Sequence, residues 1–270
     1  MKNSSLLCTL QKDLKREEIQ DLKEEIIKSK LRVQKHGEVF TPKKIVIDML
    51  ALPEIKEACQ SLTQTFLEPS AGEGAFLVAI LERKLEKVKK SYNDSLLQFE
   101  NYSLLALTTL YGIELLEDNA QTCVMNMFQL YYENYQEQVQ YHSGKLKKKV
   151  LDSAKEIISS NIRQGNFLTK KAVNGKPLIF SEWSPINIRK TTKNIKIQRT
   201  EYTLDEIYGN IKKEPGKTFN SSYKDYQQIN MFDLLADADV EIEKIIQKEM
   251  RYTLITIIDV YKEEMEEADE

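Results

Sequence analysis

The sequence predicts an α/β fold with parallel strands at its centre. Residues 65–67 form a short apolar run that leads through the turn 68–74 into a long helical pattern. A second β-rich run ends at Glu114, and a third short strand pattern ends in the turn 165–168. Because short strands that alternate with helices form βαβ units, these strands are expected to run parallel in one sheet.

Composition indicates a folded chain. Of the 270 residues, 41% are hydrophobic and 30% are charged, which excludes disorder as the main state. The 39 basic and 42 acidic side chains give a formal net charge of -3. Any contact with DNA must therefore come from a local basic patch.

The cysteine and histidine content argues against a disulfide-rich domain and against a zinc-binding domain. Cys8, Cys59 and Cys123 lie at scattered spacing, and the chain has two histidines. Neither a disulfide framework nor a zinc site is expected from this pattern. The N-terminus becomes charged too soon for a signal peptide, and no apolar run approaches the ~20 residues of a membrane span. We therefore predict a soluble, reduced, cytoplasmic protein without a metal.

Residues 10–33 are predicted to form an amphipathic helix. Its polar face carries as many acids as bases, which favours packing on the main domain or on a partner over binding to a lipid surface. Gly37 suits the C-cap, and residues 1–36 are assigned to this N-terminal helix. The apolar side chains form one narrow stripe, Leu14, Ile19, Leu22, Ile26, Ile27 and Leu31.

The other elements follow along the chain. Thr41 and Pro42 are typical of an N-cap and a first helical residue, which predicts a helix to about residue 52. The helix after the glycine turn should continue to about Lys90, and another is predicted over residues 116–132. A further strand is predicted at residues 176–183.

The last part of the chain, residues 206–270, is assigned to a polar linker and a C-terminal helical segment. Residues 210–230 are polar and rich in turn formers, and residues 231–270 match one or two helices. Within them, residues 252–260 are ambiguous between helix and strand.

The glycine turn is the first candidate for a functional site. In an open α/β sheet the ligand lies at the carboxyl ends of the strands, near the first glycine turn. Gly72 and Gly74 have no side chain to keep a ligand away, and Glu68 supplies a carboxylate beside the same cleft. The alternative is a tight turn between strand and helix without a ligand.

Two later strand ends add polar groups to the same edge. Glu114 ends the second strand, where the ribose hydroxyls of a nucleotide need an acceptor. Asn166 and Phe167 follow the third strand, where an adenine ring would lie. Each feature alone is more often structural, but their order and spacing favour a nucleotide-like cofactor.

Three motifs resemble those of the adenine-specific DNA methyltransferases of bacterial restriction–modification systems. They are Val-Phe-Thr-Pro at 39–42, Glu-Pro-Ser-Ala-Gly-Glu-Gly-Ala-Phe-Leu at 68–77 and Tyr-Gly-Ile-Glu at 111–114. The likeness covers about residues 30–185. It implies a Rossmann-like sheet that uses S-adenosylmethionine, and residues 37–205 are assigned to this domain.

The resemblance also implies which residues hold the cofactor. Its methionine end would be lined by Phe40, Thr41 and Pro42. The residues expected to wrap it belong to the glycine turn: Glu68, Ser70, Ala71, Gly72 and Gly74.

The same resemblance assigns the adenosine part of the cofactor. Glu114 would hold the ribose hydroxyls, with Ile113 or Leu115 against the adenine. Asn166 would accept a hydrogen bond from the adenine amine, where the family usually has aspartate. Phe167 would stack nearby.

The family's catalytic tetrapeptide, Asn or Asp followed by Pro-Pro-Tyr or Pro-Pro-Phe, is absent, because the chain has no Pro-Pro pair. In the family this motif accepts the hydrogens of the exocyclic amine and stacks on the flipped base. Ser181, Glu182 and Trp183 stand at the corresponding place, with Glu182 as candidate acceptor and Trp183 as candidate stacking platform. The alternative is a core tryptophan beside a surface acid.

A basic stretch follows, and its cations are expected at the rim of the cleft. There they would contact DNA phosphates, although a solvated loop is the simpler account. The cations are Arg189, Lys190, Lys193, Lys196 and Arg199.

The sequence thus favours a DNA methyltransferase that uses S-adenosylmethionine and forms N6-methyladenine, with N4-methylcytosine as the alternative product. The rival interpretation is a cofactor-binding subunit without catalysis that acts with a specificity or catalytic partner. A third is a methyltransferase for a small molecule or a protein.

Overall fold

The computed structural model describes residues 28–186, 188–189, 192, 194–222 and 249–268. They form a mixed α/β structure. Its helices are α1 (Lys30–His36), α2 (Lys43–Leu50), α3 (Pro53–Gln60), α4 (Ala75–Ser91), α5 (Leu96–Leu107), α6 (Glu117–Tyr141), α7 (Lys148–Asn161), α8 (Leu204–Tyr208) and a 3-10 helix (Ile257–Lys262). Its strands are β1 (Phe66–Glu68), β2 (Leu110–Glu114), β3 (Ile162–Asn166), β4 (Lys171–Ala172), β5 (Ile179–Ile186), β6 (Lys196–Thr203), β7 (Lys217–Ser222), β8 (Glu249–Tyr252), β9 (Ile255–Thr256) and β10 (Met265–Glu267).

The central sheet has the strand order β1-β2-β3-β4. Strands β1, β2 and β3 run parallel, with Leu67 opposite Tyr111 and Glu114 opposite Gln164, as the sequence predicts. Strand β4 pairs with β3 in the antiparallel direction. Strand β1 ends the order, and the Leu67 side chain is 41% exposed there. The parallel direction brings the carboxyl ends of β1, β2 and β3 to one edge of the sheet.

Helices cover one face of this sheet. Helix α4 contacts α5, α6 and β2, and α7 contacts β2 and β3. The buried apolar residues of α4 follow the i, i+3, i+4 pattern of a helix, so they share one face of the helix and are buried in the core together. They are Leu77, Ile80, Leu81, Leu85 and Val88, each at most 5% exposed.

The predicted strand at residues 176–183 is present as β5, but it lies in a second sheet. Strand β5 pairs antiparallel with β6, from Ile179 opposite Thr203 to Ile186 opposite Lys196. Strand β9 pairs with the other edge of β6. A small apolar cluster joins this sheet to the central one, and its buried members are Ile113, Leu178, Phe180 and Leu204.

The expectation of C-terminal helices is wrong for the residues that the structure describes. Residues 249–268 contain three strands and a 3-10 helix. Strand β8 pairs with β7 and β10 in a third sheet, while Ile257 and Ile258 are buried beside α7. The ambiguous segment 252–260 therefore forms neither a long helix nor a long strand. Its strand β9 pairs with β6, and its 3-10 helix packs against α7. Residues 231–248 lie outside the described part.

The N-terminal helix differs from its prediction in one respect. Helix α1 begins at Lys30, because Ser29 is its N-cap, with φ -160° and ψ 154° and its hydroxyl accepting from the Arg32 amide at 3.2 Å. A continuous helix over residues 10–33 is therefore interrupted at Ser29, and residues 10–27 lie outside the described part. Helix α1 ends at Gly37, with φ 68°, as the sequence predicts.

No helix among the described residues is both long enough and apolar enough to span a bilayer.

One lysine is fully buried in the helical face. Lys84 on α4 is 0% exposed, and its ammonium donates to the carbonyl oxygens of Ser61 at 2.7 Å and Gln64 at 2.9 Å. The Lys84 nitrogen also lies 5.2 Å from the centre of the Phe66 ring. Burial disfavours the charged form and lowers the pKa of Lys84 to about 8.

This burial predicts a pH-dependent stability. Between pH 8 and the ordinary lysine value of 10.5, the unfolded chain holds a proton at Lys84 that the folded chain has released. The contribution of Lys84 to the free energy of unfolding should therefore rise with pH across this window. Urea unfolding at pH 7.5 and pH 9.5 measures it as the difference between the wild type and Lys84→Met. An equal pH response in both proteins would contradict the prediction, and the exposed Lys90→Met is the matched control.

Candidate cofactor-binding site

The glycine turn lies at the carboxyl end of β1 and is hydrogen-bonded to the end of β2. The Ala71 amide donates to the Ile113 carbonyl at 2.9 Å, and the Gly74 amide donates to the Ala71 carbonyl at 2.8 Å. Ala71 is buried, whereas Ser70 is exposed. The turn thus presents backbone to the edge of the sheet where a ligand of an α/β fold binds.

The Glu114 carboxylate organises this edge. One of its oxygens accepts from the Gly72 amide at 2.8 Å, and the other accepts from the Leu116 amide at 2.9 Å. Glu114 therefore joins the glycine turn to the segment that begins α6. A carboxylate oxygen has two lone pairs, so each oxygen can accept a further hydrogen bond from a ribose hydroxyl.

A second carboxylate, Glu68, belongs to the same electrostatic environment. It is partly buried, and its Oε1 faces the Ser70 amide at 3.4 Å. Burial raises the pKa of Glu68. Burial, together with the charges of Glu114 and Glu68, raises the pKa of the Cys123 thiol to about 12. Two carboxylates, those of Glu68 and Glu114, therefore lie beside the glycine turn at this edge.

Gly72 and Gly74 meet different structural requirements of the turn. Gly72 has φ 54°, a left-handed conformation that costs little without a side chain. At Gly74, with φ 91°, an added Cβ would lie 2.8 Å from the Cys123 sulfur. Gly74 thus permits close packing of the turn on α6, and this role needs no ligand.

The Val-Phe-Thr-Pro segment lies over this turn. The Phe40 ring is 3.6 Å from the point where a Cβ on Gly72 would stand, so the ring covers the turn. Thr41 and Pro42 are half-buried before α2. Pro42, not Thr41, is the N-cap of α2, and no side chain caps this helix. The capping expectation is therefore corrected by one position, and Phe40 lies against the glycine turn.

A network of ion pairs and hydrogen bonds lies beside the glycine turn at the same edge of the sheet. The sequence analysis did not predict it. The Lys28 ammonium lies 2.7 Å from Glu73 and 3.2 Å from Asp118, and it donates to the Asn119 side chain at 2.7 Å. The Arg32 guanidinium pairs with Glu38 and Asp118. The Asn119 side chain in turn donates to Glu38 at 2.7 Å.

This network ties the start of α1 to the glycine turn and to α6. Hydrogen bonds from Arg32 and Lys28 lower the pKa of Asp118 to about 2, and Arg32 lowers the pKa of Glu38. The Lys28 nitrogen also lies 5.6 Å from the centre of the Phe40 ring. The sequence offers only one signal for it, a pair of polar residues, Asp118 and Asn119, four and five positions after the strand end at Glu114.

The residues at the end of β3 have roles within the chain. The Asn166 Oδ1 accepts from the Leu168 amide at 2.8 Å and from the Thr169 amide at 3.1 Å. The amide oxygen that was expected to accept from adenine therefore closes the local turn. Phe167 is partly buried against the small apolar cluster around Ile113.

The structure does not bring Ser181, Glu182 and Trp183 together. Neighbouring residues of a strand point to opposite faces, so Glu182 lies on the other face of β5 from Ser181 and Trp183. Trp183 is 7% exposed, and its indole donates to the Asn161 side chain at 2.9 Å. A joint action of Glu182 and Trp183 on one base does not fit this arrangement, and the core interpretation of Trp183 does. Glu182 as a lone acceptor stays a prediction.

Glu182 faces a groove beside β1. The groove has a volume of about 410 Å3, and its lining is mainly apolar and aromatic. Residues from both sheets and from α8 form its walls, including Leu67, Tyr111, Phe180, Glu182, Tyr202 and Tyr208. The Tyr111 hydroxyl donates to the Ser181 carbonyl at 2.8 Å, which fixes one wall.

The basic stretch is only partly available to a partner. Arg199 is 8% exposed and bonded to side chains on three elements, so its expected contact with DNA is corrected. Its guanidinium lies 2.9 Å from Glu156 and 3.0 Å from Glu263, and it donates to Ser181 at 2.9 Å. Arg189 and Lys196 are exposed. Lys190 and Lys193 lie outside the described part.

No group of acids, cysteines or histidines in the described residues is arranged to hold a metal ion. No protein-family model, no curated protein and no solved structure matches this chain.

Proposed function

We propose that the chain binds S-adenosylmethionine at the glycine turn and serves a DNA adenine methylation system. The observation that carries the proposal is Glu114, whose two oxygens each accept a backbone amide at the sheet edge where the glycine turn meets β2. Three parallel strands carry this turn at their carboxyl ends, which is the edge of a parallel sheet where ligands of α/β folds bind, and this supports the proposal.

The residues at this edge have the chemistry to hold such a cofactor. Glu114 would accept from the ribose hydroxyls, and the Glu68 carboxylate would attract the positive charge of the sulfonium or of the amino group. Phe40 would supply an apolar wall over Gly72. When bound, the cofactor supplies a methyl group on a charged sulfur that leaves readily.

The geometry favours a cofactor-binding subunit over a self-sufficient enzyme. The expected acceptor and stacking side chains lie on opposite faces of β5, and Trp183 donates its indole hydrogen into the core. A catalytic or specificity partner would then supply the groups that act on the base. The second candidate, a complete methyltransferase, is favoured by one observation, an exposed Glu182 that lines the groove beside β1.

The test measures binding and catalysis separately. Calorimetry with S-adenosylmethionine should show binding to the wild type and at least a tenfold weaker binding to Gly72→Val. A β-branched side chain strains a left-handed residue, and its methyl groups would be pressed against Phe40. Thermal unfolding checks that the variant still folds.

Incubation with labelled S-adenosylmethionine and unmethylated DNA then separates the two candidates. Binding without transfer of label supports the subunit, and transfer that is lost in Glu182→Gln supports the enzyme. A wild-type protein that does not bind the cofactor contradicts both.

A further inference from the structure

The groove beside β1 is separate from the glycine turn. Its volume of about 410 Å3 lies in the range of small-molecule sites. Among the described residues that line it, none belongs to the turn 68–74. Its walls come from β1, β2, β5, β6 and the segment from α8 to Lys212, and most of their surface is apolar. A ligand of this groove is therefore not the one expected at the glycine turn.

The Tyr111 ring is a fixed wall of this groove. Its hydroxyl donates to the Ser181 carbonyl at 2.8 Å, and its ring meets the buried Phe180 ring at an angle of 72°, with centroids 6.1 Å apart. Phe180 and Glu182 are two residues apart in β5, so their side chains share one face of the strand. Burial, and after it the charge of Glu182, raises the pKa of the Tyr111 hydroxyl. A carboxylate thus lies near a preformed aromatic wall.

Positive charge is missing at this wall. Within the described part of the chain, the exposed Glu182 carboxylate forms no ion pair and accepts no hydrogen bond, and no ammonium group lies over the Tyr111 ring. Lysine ammonium groups do lie over three other rings of the lining. These rings are Phe66, Tyr202 and Tyr208, with nitrogens 5.2 Å, 5.2 Å and 5.3 Å from their centres. Glu182 and Tyr111 therefore offer a carboxylate and an aromatic face to a cation from outside the chain.

Lys212 is the other charged residue among those that line the groove. It is exposed and forms no ion pair with Glu182. A bound cation would be repelled by Lys212, whereas a bound anion would be attracted to it. Removing the charge of Lys212 and removing that of Glu182 should therefore change the affinity in opposite directions.

We propose that the groove beside β1 binds a small organic cation of the quaternary ammonium class, with its charged head beside Glu182 and the Tyr111 ring. A quaternary ammonium group has no N–H to satisfy, and aromatic faces attract it, so it suits a lining that is mainly apolar. The carboxylate adds coulombic attraction. The apolar part of the ligand would contact the remaining lining, which includes Leu67. The inference does not depend on the proposed cofactor.

NMR titration of the full chain without S-adenosylmethionine tests the proposal. The probes are choline and 3,3-dimethylbutan-1-ol, which has the shape of choline without its charge. Choline should shift the amide signals of residues 111 and 180–182, and the alcohol should bind at least about fivefold more weakly. Glu182→Gln should weaken choline binding by at least about threefold and leave the alcohol unaffected. Lys212→Gln, the matched control, should bind choline at least as tightly as the wild type.

Three results would overturn the proposal. The first is a folded wild type whose groove signals do not respond to millimolar choline. The second is equal affinity for choline and the alcohol, which would make the site merely apolar. The third is a loss of choline binding in Lys212→Gln but not in Glu182→Gln. Phosphatidylcholine vesicles carry the same head group, and co-sedimentation of the protein with them would make a lipid the ligand instead of a free small molecule.

Discussion

Replacing Glu114 with alanine is expected to remove cofactor binding and to destabilise the fold. The Gly72 and Leu116 amides would lose a buried acceptor, and charge-assisted hydrogen bonds of this kind contribute about 1.5–3 kcal/mol each. We expect a loss of about 2–4 kcal/mol in the free energy of unfolding, because the loop can partly relax. The affinity for S-adenosylmethionine should fall by at least about 100-fold, which corresponds to ~2.8 kcal/mol.

Urea unfolding and calorimetry measure the two effects on one sample. Glu114→Gln keeps one oxygen acceptor and should lie between the wild type and Glu114→Ala in both measurements. Glu117→Ala, an exposed acid three residues later, is the control for charge and should change stability by less than about 0.5 kcal/mol. A variant Glu114→Ala that is destabilised but binds the cofactor normally would show that Glu114 only shapes the turn.

Replacing Arg199 with alanine is expected to give a large loss of stability. The Arg199 guanidinium is paired with Glu156, Glu201 and Glu263, and it lies 4.4 Å from the centre of the Tyr252 ring. Removing it leaves partly buried carboxylates without their cation, a change that typically costs 3–5 kcal/mol. Urea unfolding at neutral pH measures the loss.

Two further variants keep this prediction testable if Arg199→Ala does not fold. Arg199→Lys retains the charge but lacks the planar fork, so we expect an intermediate loss. Arg189→Ala removes an exposed cation of the same basic stretch and should change stability by less than about 0.5 kcal/mol. Equal stability of Arg199→Ala and Arg189→Ala would contradict the structural role of Arg199.

The local pattern of the sequence predicts the part of the fold that surrounds the glycine turn. Strand β1, the turn, α4 and the end of β2 follow from residues that are near one another in the chain. The parallel direction follows from their alternation. The position of Glu114 beside the turn could be predicted for the same reason, since parallel strands end at the same edge.

The neighbours of β5 could not be predicted in this way. A short apolar strand has the same pattern whether it joins a parallel or an antiparallel sheet. Its partner β6 overlaps the basic stretch that begins at Arg189, and the charge of that stretch is typical of a solvated loop. The sequence does contain one indication that Arg199 is buried. Residues two apart in a strand share a face, so Arg199 lies on the same face of β6 as the apolar Ile197, which is buried.

The ionic network around Lys28 shows a second limit. Lys28 and Arg32 are separated from Asp118 by more than 80 residues, and each side chain alone matches an ordinary surface charge. The helical pattern of residues 10–33 was also misleading at one point. Serine inside an amphipathic stretch can extend the backbone and cap a new helix, as Ser29 does.

The three-residue length of β1 limits how the open side of the central sheet can associate. The Phe66 amide donates toward β2, so the amide and carbonyl of Leu67 point outward. The next outward position is Pro69, which has no N–H to offer. Among the described residues no strand pairs with this side of β1. A foreign strand that approached it would gain very few backbone hydrogen bonds, which disfavours edge-to-edge aggregation.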